Sequence, residues 1–136
     1  MRSPSERLNP QQACHEILSI DKQILFAGMA NSTGTATYHE YRHDITPMLS
    51  LDETNKSMLQ AVIREGMRTT LEGRLGECKY VFALYKKVKR ITIPLRPPTM
   101  KGGSHGIAMI SIELAADHES VLAKVLPFLE RMQLDH

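Results

Sequence analysis

Apolar and polar positions along the chain alternate with two periods, and the switches between them predict eight elements. At "NPQQACHEILSI" the apolar residues Ala13, Cys14, Ile17 and Leu18 recur at helical spacing. Asn9 is placed to cap that helix, Pro10 suits its first turn, and Gln12 can reach back as in a capping box. The helix is expected to end near Asp21. "QILFAGMANSTGTATYHEYR" then alternates with period two on both sides of Asn31-Ser32-Thr33-Gly34, which predicts a hairpin with Gly34 at positive φ. Gly28 inside the first of these strands points to a bulge or a close backbone approach.

The longest periodic segment follows. Ser50 and Glu53 have capping-box spacing, and Met58, Leu59, Val62, Ile63, Met67, Thr70, Leu71 and Leu75 repeat at steps of three and four. This predicts a helix over 51–75, stopped by Gly76. Gly66 and Gly73 lie inside it, each at about 1 kcal/mol relative to alanine, which suggests close approach of another element. "KYVFALY", "KRITIPL" and "HGIAMISIEL" read as strands. The unbroken apolarity of "YVFALY" predicts a central strand buried on both faces. Ile91, Ile93 and Leu95 share one face of the next. Asp117 caps a last helix, whose stripe is Val121, Leu122, Val125, Leu126, Phe128, Leu129 and Met132, and Pro127 should kink it or end its regular part. The order α-β-β-α-β-β-β-α implies an α/β (α+β) domain, a five-stranded antiparallel sheet with helices on its faces. Residues 1–8 read as a flexible leader and 9–136 as a single domain.

Composition changes this picture little. The chain has 136 residues, no Trp and a formal charge of +2, from 17 basic and 15 acidic side chains. That balance is too weak to argue for nucleic acid. Its distribution is uneven, because Lys79, Lys86, Lys87, Lys89, Arg90, Arg96 and Lys101 fall in a stretch without an acid. An electropositive pole results, comprising Lys86, Lys87, Lys89, Arg90, Arg96 and Lys101. It has three readings: a solvated hairpin tip, a contact for an acidic protein, or a nucleic-acid surface over 86–101. Cys14 and Cys78 form no metal or redox motif, which fits free thiols in a reducing cytosol. No apolar run approaches the length of about 18 residues that spans a bilayer, so a cytoplasmic protein with no membrane contact is expected.

No reaction centre stands out, and no cofactor is called for. In "YHEYRHD", His39 and His43 are weak metal candidates, since along an extended strand they stand roughly 13 Å apart. "ADHES" carries triad letters, but Asp117 and Glu119 fit a helix start, and His118 there has no evident partner. "KGGSHG" lacks phosphate-loop order and precedes a strand.

The element order resembles the Roadblock/LC7 fold, within the profilin-like and longin-like group, over roughly residues 9–134. "IAMISIELAADHESVLAKVLPFLE" and "KYVFALYKKVKRITIPL" also resemble a group of small archaeal proteins, from which no activity carries over. The Roadblock likeness implies a non-enzymatic homodimer or heterodimer that regulates small Ras-like GTPases or serves signalling. Its dimer would be built from the middle helix, 51–75, and the neighbouring edge strand, 79–85. Met58, Val62, Gly66, Met67 and Tyr80 are then the expected interface residues. The loop "RPPTMKGGSHG" and the two helix glycines depart from a specific GTPase surface. A second reading is a small-molecule sensor of profilin-like or PAS-like type, with a cavity lined by Phe26, Met29 and Met109. Nucleic-acid binding through 86–101 is a third.

Overall fold

Capping chemistry sets the first element. In the computed structural model, which describes residues 9–96 and 106–134, the Asn9 side chain accepts from the Gln11 and Gln12 amides and opens α1, Pro10–Ile20. β1 (Ile24–Ala30) and β2 (Ala36–Tyr41) form the expected hairpin. Asn31 Oδ1 accepts from the Thr33 and Thr35 amides, and Gly34 takes a φ of 88° that a side chain would strain. Ser50 and Glu53 exchange both capping-box bonds at the start of α2, Leu51–Arg68. A 3₁₀ turn (Thr69–Leu71) and α3 (Glu72–Leu75) carry the helical run on to Gly76, at φ 85°. The helix expected over 51–75 is thus one run with a tightened turn inside it. β3 (Val81–Leu84), β4 (Lys89–Pro94), β5 (Ile107–Ile112) and α4 (His118–Leu134) complete the order. The expected leader, and most of the β4–β5 loop with Lys101, lie outside the described residues.

The strands form one antiparallel sheet in the order β2-β1-β5-β4-β3. β1 and β5 are central and buried along almost their whole length. "YVFALY" is not central. β3 is an edge strand and mostly half-buried. Phe82 packs against the main core, while Val81 and Ala83 line an open groove on the other face. The strand is apolar on both faces, but the described residues pack a core against only one.

α1 and α4 cover the first face of the sheet. Ile17, Ile24, Ala27, Ile91, Ile93, Ile110, Val125 and Leu129 meet there, and each large side chain so buried contributes about 1.5–3 kcal/mol. α4 continues through Pro127 to Leu134 instead of ending there. Pro127 is followed by no break because Ala123, whose carbonyl loses its partner, is exposed, so water can satisfy that carbonyl. α2 lies over β1, β2 and β5 on the second face, closing a smaller core of Phe26, Ala30, Met58, Ala61, Ile107 and Met109. Gly28 marks the close approach. A Cβ there would stand 2.9 Å from Phe26 Cζ and 3.2 Å from Met58 Cε. Gly66 and Gly73 have open space instead, so no described part of the same chain explains them.

Candidate functional site

The surface of α2 is built from two stripes at helical spacing. Thr54, Met58, Ala61 and Glu65 face the sheet and are buried. Leu59, Ile63 and Met67 are exposed on the other side, Leu59 beside the Gly34 turn, and Leu71 continues the stripe on the 3₁₀ turn, with Ile63 55%, Met67 69% and Leu71 57% exposed. Most of the apolar repeat read over 51–75 is therefore on the surface. Of the expected interface residues, Met58 is withdrawn. It is fully buried in the smaller core and cannot meet a partner. Val62 is half-buried, and Gly66 and Met67 are exposed on the outward side. Tyr80 is exposed just before β3. β3 pairs with β4 on one side and with no described strand on the other.

The basic stretch divides by strand parity. Lys86 and Lys87 stand exposed at the β3–β4 turn. Lys89 Nζ donates to the Ala116 carbonyl at 2.5 Å. Arg96 leaves the pole altogether. Its guanidinium donates to Glu72 and lies 3.3 Å from Glu65 Oε2, with all three side chains largely buried. Glu65 Oε1 is buried with no hydrogen-bond partner among the described residues. Burial pushes the Glu65 carboxyl up, Arg96 opposes that shift, and Glu72 adds to it. Arg90 also turns inward, onto the α2 face. It donates to Ser57 Oγ at 3.2 Å and to Met109 Sδ at 2.6 Å and makes no ion pair among the described residues. Burial pushes its pKa down, and Tyr85 and Tyr41 offset this in part.

Arg90 lines a cavity of about 580 Å³ between the N-terminal half of α2, the 42–50 connection and the β3–β4 turn. Its wall is largely apolar: Leu25, Phe26, Tyr41, Ile45, Met48, Leu49, Tyr85 and Val88. A register shift makes this possible. Ile24 pairs with Ile112 and Phe26 with Ser111, so Leu25 is an extra residue, and the neighbours Leu25 and Phe26 both reach the cavity. Strict alternation along "QILFAGM" hides that. Phe26 lines the cavity as the sensor reading expects. Met29 does not, because it packs in the main core on the opposite face, and Met109 lies in the smaller core in contact with Arg90.

The remaining motif residues have structural surroundings. His39 packs with Phe26 (ring centroids 5.9 Å apart) and Tyr41 (6.4 Å), and burial lowers its pKa. β2 ends at Tyr41, so His43 falls beyond the strand. Among the described residues no three His, Cys, Asp or Glu side chains are grouped to hold a metal. Asp117 Oδ1 accepts from the Glu119 amide at the start of α4. His118 has a partner after all, since its ring stacks on Phe82 at 4.2 Å. Both cysteines are free thiols, and burial, reinforced by Glu40, pushes Cys14 up to about 12. No described helix is long and apolar enough to cross a membrane.

No family model matches the chain, and no curated protein matches it in sequence. Solved structures do. An MglB structure with a tetrameric arrangement superposes with a TM-score of 0.68 at 12% identity, over 99% of this chain and 90% of that one. The gliding protein mglB from Thermus thermophilus gives 0.67 at 13% identity, over 98% and 88%. A Roadblock/LC7 domain from Streptomyces avermitilis gives 0.66 at 10% identity, over 90% and 92%. At such identities the likeness is one of backbone path. The chain has the Roadblock/LC7 fold: an α/β domain with a five-stranded antiparallel sheet between helices.

Proposed function

We propose that the chain is a non-enzymatic regulatory module that dimerises through α2 and the β3 edge and engages a protein partner, a small GTPase or another acidic surface, with the joined body. One observation carries this reading: the apolar stripe Leu59, Ile63 and Met67 is exposed on α2, and Leu71 on the turn after it, in a chain whose edge strand β3 has no described strand on its outer side. Contiguous apolar surface of this kind marks interaction sites, and a bare edge strand is a template for pairing. Val62 and Gly66 lie on the same helix, and Tyr80 is exposed just before β3. Lys86 and Lys87 supply positive charge at one end of the sheet for an acidic partner. The tetrameric arrangement of the MglB neighbour is a precedent for assembly on this fold.

Sedimentation velocity tests the reading. The chain should sediment as a dimer at micromolar concentration. Ile63→Glu should sediment as a monomer with an unchanged circular dichroism spectrum, because the replaced side chain packs on nothing essential in one copy. A wild-type monomer at that concentration would refute the proposal. The cavity favours a second reading, a small-molecule sensor, tested by thermal shift: a ligand at 100 times its Kd adds about 2.7 kcal/mol. The nucleic-acid reading loses Arg90 and Arg96 from its surface.

A further inference from the structure

The cavity holds a feature that a dimer surface does not need. Arg90 presents a full positive charge to an open, largely apolar cleft, and the partners that approach it are all neutral: the Ser57 hydroxyl, the Met109 thioether and the Tyr85 and Tyr41 phenols. A thioether is a weak acceptor. A half-buried guanidinium served only by neutral groups is costly, and an anion would relieve that cost. Elsewhere in the fold the same residue type is compensated, since Arg96 meets Glu65 and Glu72.

The rim points the same way. Lys86, Lys87 and Lys56 line the opening with Glu53, and Lys56 is paired with Asp52 at 3.0 Å, so the turn lysines supply the excess charge. Glu53 is already engaged, because its carboxylate accepts from the Ser50 amide at 2.9 Å in the capping box. That bond leaves the Glu53 charge in place, but Arg90, Lys86 and Lys87 outweigh it, so the mouth is positive and the wall behind it is apolar. A volume of about 580 Å³ lies within the range of metabolite-sized sites, which pair an apolar lining with a few placed polar groups.

We propose that this cavity binds a small amphipathic monocarboxylate, its carboxylate on Arg90 and its apolar body against Leu25, Phe26 and Leu49. The planar fork of a guanidinium matches a carboxylate in a way an ammonium does not. The rim lysines draw the anion in and remain solvated. This rests on the sensor reading and gives it a ligand class, and it stands whether or not the chain pairs.

The test uses the full ¹⁵N-labelled chain with octanoate and 1-octanol, which share an apolar body and differ in charge. Amide shifts should move around Leu25, Leu49 and Tyr85, and octanoate should bind about tenfold more tightly than octanol, the equivalent of one charged hydrogen bond. Arg90→Met should erase that preference and Arg90→Lys should keep part of it. Leu49→Trp, which fills the cavity from the 42–50 connection, should abolish binding of both. Equal binding of octanoate and octanol to the wild type would overturn the anion proposal while leaving a neutral-ligand sensor standing. Binding of neither, or shifts confined to the outward face of α2, would overturn both.

Discussion

Replacing Arg96 by methionine separates a buried ion cluster from a surface charge. In the native chain the guanidinium lies between Glu65 and Glu72, and one Glu65 oxygen has no hydrogen-bond partner among the described residues. Arg96→Met keeps most of the volume and removes the countercharge. Breaking a buried pair from one side costs about 3–5 kcal/mol, because the other charge is left uncompensated. The loss should depend on pH, with a sign set by Glu65. Its folded pKa is raised by burial, and Arg96 is the group that opposes the rise. A carboxyl raised in the folded state stabilises below its unfolded pKa, and that stability is lost as pH rises through the folded value. Removing Arg96 raises Glu65 further. The deficit of the variant should therefore be full near neutral pH and shrink on acidification, by about 1.4 kcal/mol for each unit of added shift. Urea unfolding followed by circular dichroism, at matched protein concentration and at about pH 7.5 and pH 4.5, measures both. Glu65→Gln in the Arg96→Met background should recover about 1–3 kcal/mol by removing the stranded charge. A deficit under about 1 kcal/mol at neutral pH, as for a surface pair, or one equal at both pH values, would refute the reasoning.

Three further outcomes follow from the same contacts. Gly28→Ala should destabilise by about 1–3 kcal/mol in thermal or urea unfolding, because its Cβ would press on Phe26, His39 and Met58. Gly66→Ala and Gly73→Ala should each stabilise by about 0.4–1 kcal/mol in the monomeric Ile63→Glu background, since their Cβ atoms meet open space. A loss there would mean that the surface is covered within one chain. A thiol reagent at mildly alkaline pH should label Cys78 before Cys14, whose pKa is pushed to about 12 and whose side chain is fully buried. Equal rates on the native protein would contradict that burial.

The element order was legible because each boundary carries its own chemistry: Asn9, the Ser50–Glu53 box, Gly34 and Gly76. Which surfaces those elements bury was less so. Two stripes at helical spacing run along α2, and periodicity cannot say which one meets the sheet. The inner stripe includes Thr54 and Glu65, polar residues whose burial depends on distant partners, Tyr41 at 2.9 Å and Arg96 at 3.3 Å. Nothing local announces those contacts. The inward turn of Arg90 and Arg96 was legible in principle. The parity that puts Ile91, Ile93 and Leu95 on one face puts Arg90 and Arg96 on the other, and a count of charges ignores parity. The cavity was not legible, because it depends on the extra residue Leu25 in β1, which shows only in the pairing.

A layer argument links the exposed stripe to the edge strand. Five strands span about 19 Å, from four gaps of about 4.8 Å. One helix covers about 10 Å. The first face has two helices, α1 and α4, and its core closes across the sheet from β1 to Leu95 after β4. Among the described residues the second face has α2 alone, seated over β1, β2 and β5. About half of that face is left over, and it carries Val81, Ala83, Thr92 and Arg90. A second helix of similar size would complete the layer, and the outward stripe of α2 is apolar enough to be that helix for another copy. Tyr85 stands where the two proposals meet. It lines both the groove beside α2 and the cavity, so a copy seated on that groove would touch the wall of the anion site. Any effect of carboxylate binding on pairing must then equal the effect of pairing on carboxylate affinity. Tyr85 is the first residue whose replacement should change that coupling.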